Sequence, residues 1–117
     1  MKKNIIAEKS FDFSLRIIKL YQFLTKEHKE YILAKQILRC GTSIGANIEE
    51  AIGAQSKKDF ITKISISYKE CRETSYWIKL LYKSNYLDMN LFHSLLLDCH
   101  ELAKIITKIL NTSKKNL

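Results

Sequence analysis

Apolar residues return every three or four positions along most of the chain, and polar stretches break that rhythm in three places. Phe13, Ile17, Leu20 and Leu24 give one apolar face to a first helix, expected over about 12–26, with Ser10 or Asp12 as its cap. Lys26-Glu27-His28-Lys29 reads as a short turn. Leu33, Ile37, Cys40, Ile44, Ile48 and Ala51 or Ile52 then mark a second helix over about 30–54, and the Gly53–Gln55 stretch ends it. Ser56-Lys57-Lys58-Asp59 has the form of a capping box with Asp in place of Glu or Gln. A third helix follows over about 57–83 through Phe60, Ile64, Ser67, Cys71, Ser75, Ile78 and Leu81 or Tyr82. Within it Ile64-Ser65-Ile66-Ser67-Tyr68 alternates as a strand would, but the helical spacing continues on both sides and decides the matter. After Ser84–Asp88, with Asp88 as cap, a fourth helix over about 89–111 carries Leu91, Leu95, Cys99, Leu102, Ile106 and Ile109 before a polar tail. Short connections between amphipathic helices make neighbours antiparallel, so the expected fold is all-α, an up-down-up-down four-helix bundle.

Composition agrees with this reading. The 117 residues suffice for one domain, proline is absent and glycine occurs three times, so the main breakers of helices are scarce. The basic start Met1–Asn4 is followed only by Ile5-Ile6-Ala7, shorter than the apolar core of a signal peptide, and no stretch is long enough to span a membrane. Cys40, Cys71 and Cys99 contain no C-x-x-C pair and sit on apolar stripes, as reduced core thiols of a cytoplasmic protein do. No cofactor is indicated.

The second helix contains an anomaly. Gly41 and Gly45 lie about one turn apart on one face, and each weakens a helix interior by about 1 kcal/mol relative to Ala. Together with Thr42, Ala46 and Ala54 they form a thin surface that suits either a tight crossing within the chain or a contact between subunits. On the third helix Tyr68, Tyr76, Trp77 and Leu80 fall away from the core stripe. Gly41, Gly45, Ala46, Tyr76, Trp77 and Leu80 are therefore the candidate surface of a homo-oligomer.

Five segments occur in a characteristic order. They are Phe13-Ser14-Leu15, Gln36-Ile37-Leu38-Arg39, Thr42-Ser43-Ile44-Gly45-Ala46-Asn47-Ile48-Glu49-Glu50-Ala51, Ser56-Lys57-Lys58-Asp59-Phe60 and Glu70-Cys71-Arg72-Glu73-Thr74-Ser75-Tyr76-Trp77. Over about residues 10–110 the chain thereby resembles the four-helix bundle proteins called 23S rRNA-intervening sequence proteins. Many members have Pro in place of Gly45 and Gly in place of Ala51, which puts this chain in a Gly-Ala-Asn-x-Glu-Glu-Ala branch. The resemblance implies a small antiparallel bundle assembled as a ring-like homopentamer. It also implies kinship with the accessory bundle protein of diversity-generating retroelements, which binds nucleic acid.

The formal net charge is +8, which favours phosphate through counterion release. Residues 1–39 hold nine basic and four acidic side chains, and residues 57–83 hold seven and three. Lys57, Lys58, Lys63, Arg16 and Lys19 are the candidate contacts to RNA or DNA, although no zinc-knuckle, RNP or KH motif accompanies them. Arg39, Asn47, Glu50, Glu70, Arg72 and Glu73 form a candidate polar network, read as fixing helix register or subunit docking. They lack a nucleophile or phosphate loop, so catalysis is the minority reading and no small-molecule substrate is identified. A di-iron bundle needs Glu-x-x-His, but Thr25, Asn90 and Leu97 precede the three histidines, which leaves no metal site. Three functions remain, in descending order: an oligomeric nucleic-acid-binding or adaptor bundle, a protein-interaction scaffold, and an enzyme acting at Asn47 and Glu50.

Overall fold

The structure, a computed structural model, describes residues 4–116. Four helices follow one another: α1 (Ile5–Lys26), α2 (Ile32–Ile52), α3 (Lys57–Lys83) and α4 (Met89–Lys115). Each meets its two neighbours around a four-helix bundle, with the α1–α4 side the loosest. Contacts pair residues in opposite order along adjacent helices. Gly41 and Gly45 of α2 lie against Ile17 and Ser10 of α1, and Ser67 and Glu73 of α3 reach Ile44 and Arg39 of α2. The apolar stripes converge on a core in which Ile17, Leu24, Ile37, Ile44, Ile78 and Ile106 are wholly buried.

The helix ends follow from local hydrogen bonding. Ser56 and Asp88 cap α3 and α4 by accepting the N–H groups of Asp59 and Leu91, as the sequence suggests. α1 starts well before residue 12, because Asn4 accepts the Ala7 N–H at 3.0 Å and takes the capping role assigned to Ser10 or Asp12. Ser10 is instead buried inside the helix, and its hydroxyl donates to the Ala7 carbonyl at 3.2 Å. α2 opens with the Glu30 carboxylate accepting the Leu33 N–H at 2.6 Å. At the end of α3, Asn85 takes a left-handed conformation (φ 69°), and the Tyr86 N–H donates to the Leu81 carbonyl at 2.9 Å. This is the Schellman closure that points the chain back along α4.

The glycine surface of α2 faces inward. A Cβ on Gly41 would meet Ile17 Cγ1 at 2.8 Å, and one on Gly45 would meet the Ser10 carbonyl oxygen at 3.3 Å. Both glycines are buried and serve the α1–α2 crossing, so of the two readings the tight internal crossing is the one observed. Polar groups support the same packing. The buried Ser67 hydroxyl donates to the Ile44 carbonyl at 2.8 Å, and the Cys99 thiol donates to the Cys71 carbonyl at 3.4 Å. All three cysteines are free and buried.

Candidate nucleic-acid interface

The charged side chains of the bundle are sorted by face. Between α2 and α3, Arg39 Nη2 pairs with Glu73, whose carboxylate also accepts the Trp77 indole N–H at 3.0 Å. Glu70 lies 3.5 Å from Arg39 Nη1. Burial raises the Glu70 carboxyl above its usual range, against the opposing pull of Arg39. Further along the same seam Lys63 pairs with Glu50 at 2.9 Å, and that hydrogen bond raises the lysine's pKa. Between α1 and α4, Lys9 pairs with Glu101 at 2.6 Å and Arg16 with Asp98 at 2.7 Å.

These contacts divide the expected polar network. Arg39, Glu70 and Glu73 come together, but Asn47 donates locally to the Ser43 carbonyl at 2.8 Å and Glu50 turns to Lys63. Arg72 is exposed and joins none of them. Asn47 and Glu50 therefore share no partner, because each is satisfied by a nearer group. The expected oligomer surface divides as well. Gly41 and Gly45 are internal, Trp77 and Leu80 are half-buried, and Ala46 and Tyr76 remain exposed. Trp77 packs against the core and is tied to Glu73, so its indole does not stand open as its sequence position suggests.

Of the expected nucleic-acid contacts, Arg16 and Lys63 are neutralised by carboxylates. Lys19, Lys57 and Lys58 stay exposed. The more continuous basic surface is the outer face of α3. Positions 58, 62, 65, 69, 72, 76, 79 and 83 alternate in steps of four and three, and they read Lys, Thr, Ser, Lys, Arg, Tyr, Lys, Lys. The stripe is about 38 Å long and bears no carboxylate, since Glu70 and Glu73 point to Arg39 while Asp59 accepts the Gln55 N–H. Among the described residues Lys58, Lys69, Arg72, Lys79 and Lys83 make no ion pair. The heptad-like spacing was available in the sequence. It is hidden there by the carboxylates that intervene in chain order.

Beside this stripe a cleft of about 380 Å³ opens between α3 and α4. Arg72, Lys79 and His100 bound it, Tyr68 and Tyr76 wall it, and Cys71 and Cys99 lie at its base. One cleft between α1 and α4 differs in character, because Asp12, Asp98 and Glu101 line it beside Lys9 and Arg16. No group of three or more potential metal ligands occurs among the described residues, nor does any helix long and apolar enough to cross a membrane.

An internally ion-paired four-helix bundle with a basic, carboxylate-free outer face on α3 defines the class of this protein: a small all-α bundle. More particularly, the chain belongs to the 23S rRNA-intervening sequence protein family, whose sequence model matches residues 2–108. It is also similar to the crystal structure of a protein of unknown function from the S23 ribosomal protein family of Bacteroides thetaiotaomicron. That likeness has a TM-score of 0.89 and 47% identity, over 90% of this chain and 97% of the other. No curated protein matches.

Proposed function

We propose that the protein is a non-catalytic, homo-oligomeric bundle that binds nucleic acid through the outer face of α3. The observation that carries this reading is the carboxylate-free stripe Lys58–Lys69–Arg72–Lys79–Lys83, whose five cations make no ion pair, whereas Lys9, Arg16, Arg39 and Lys63 at the α1–α4 and α2–α3 seams are paired. Such a surface draws phosphate by releasing condensed counterions, without needing a sequence-specific motif. The family's description refers to rRNA, and the structural relative comes from a family named for a ribosomal protein.

Self-association rests on a different face. Phe11, Leu15 and Ile18 are 65%, 47% and 39% exposed and recur in steps of four and three on α1, nearly opposite its core stripe. A helix apolar on two sides suits burial on both. Five subunits is the number the family resemblance implies. The same stripe would also serve a protein-interaction scaffold indifferent to nucleic acid, and binding measurements separate the two readings. Light scattering should give a multiple of the 13.7 kDa chain mass, and labelled RNA or DNA should bind with an affinity that falls steeply with salt. A monomeric mass removes the oligomer, while an absence of binding at low salt leaves the scaffold.

A further inference from the structure

Resting on that reading, we infer that the α3–α4 cleft receives an unstacked base of single-stranded nucleic acid, with Tyr76 as the stacking platform. The stripe and the cleft meet at Arg72, Tyr76 and Lys79, so a strand following the basic face passes over the cleft mouth. At about 380 Å³ the cleft falls within the range of roughly 300–1,000 Å³ typical of small-molecule sites. Tyr76 is 58% exposed, yet its ring is held edge-on to Trp77 with centroids 5.1 Å apart. Trp77 is in turn fixed by Glu73, so the exposed ring stands on a positioned support. Base–aromatic stacking needs such a platform, and it tolerates any base because every base has a π face.

The polar groups at the cleft divide the remaining work. Arg72 and Lys79 lie one helical step to either side of Tyr76, where they can contact the phosphates flanking a stacked base. Ser75 and His100 face each other at 3.5 Å across the α3–α4 seam and offer hydrogen-bonding groups to a base edge. No carboxylate lines this cleft, whereas Glu8, Asp12 and Glu49 line the one at the start of α1. A duplex keeps its bases stacked and cannot use Tyr76 in this way, so the geometry favours single strands.

The test uses the full chain with labelled oligo(U), oligo(dT) and a hairpin duplex of matched charge, followed by anisotropy over a salt series. Both single strands should bind about tenfold or more tightly than the duplex. Tyr76→Ala should weaken single-strand binding by about 5- to 150-fold, the range for losing one base–aromatic stack. It should leave duplex binding and the salt slope unchanged, since no charge is removed, while Tyr76→Phe should retain wild-type affinity. The emission of Trp77, the one tryptophan, should change on binding single strands and not duplex. Single-strand affinity unchanged in Tyr76→Ala, or a preference for duplex, overturns the base-binding cleft but leaves the basic-face reading intact. No binding of any probe overturns both.

Discussion

Gly41 shows how one residue fixes the spacing of two helices. A methyl group there would sit against the branched Cγ atoms of Ile17, 2.8 and 2.9 Å away, which lie close to the α1 backbone and have little room to move. Overpacking of that kind costs about 1–3 kcal/mol, and better helix propensity returns about 1 kcal/mol. Gly41→Ala should therefore lower stability by about 1 kcal/mol, with Gly45→Ala closer to neutral because its nearest contact is 3.3 Å. Urea denaturation checks the order, and two stabilised variants would refute the tight crossing. The sequence made the glycine pair conspicuous but left open which surface it faced, because residue spacing defines a helix face without naming its neighbour. The cysteines were more legible. Burial pushes the Cys40 thiol from 9.0 up to about 11, and hydrogen bonding to Cys99, then burial, raises that of Cys71. In the native protein all three thiols should resist disulfide reagents at pH 8 and react only on unfolding. A folded-state pKa raised at Cys40 means that its contribution to stability is intact below about pH 9 and is lost as pH rises towards 11, because the unfolded chain ionises first. A thiol reacting stoichiometrically in the native protein would contradict this.

Among the elements, α1 departs most from its sequence reading. Its start was placed too late because Ser10 and Asp12 resemble caps, whereas Asn4 performs that role. The shortened helix also concealed Phe11 as the first member of an outward stripe with Leu15 and Ile18. In α3 the capping residue and both ends were legible, since Ser56 stands at one boundary and a polar turn at the other. The polar partners were not, because the nearest acceptor for a side chain depends on register between helices. Glu50 thus chooses Lys63 over an arginine. If the outer face of α1 is buried between subunits, Leu15→Glu should reduce the mass seen by light scattering while helical circular dichroism stays unchanged. The side chain is 47% exposed within one chain, so the substitution spares the core. An unaltered oligomer would place the contact elsewhere.

The whole molecule, 46 × 26 × 20 Å, separates its charges by location. Glu50, Glu70, Glu73, Asp98 and Glu101 pair with cations across the α2–α3 and α1–α4 seams, while Lys58, Lys69, Arg72, Lys79 and Lys83 make no ion pair and share the outside of α3. Net charge alone announced a basic protein, while the division into neutralised and open faces required the side-chain partners. Arg16 and Lys63 looked like available cations in the sequence and are not. Lys69, Lys79 and Lys83 looked ordinary and share a long face of α3 without a carboxylate. The most direct measurement is the salt dependence of single-strand binding by the wild-type chain and by a Lys69→Glu, Arg72→Glu, Lys79→Glu variant. Removing three phosphate contacts should lower the slope of log K against log salt by about 2, at roughly 0.7 per contact for single strands, and abolish tight binding at low salt. A folded variant that keeps the wild-type slope and affinity would contradict the assignment of nucleic-acid binding to α3.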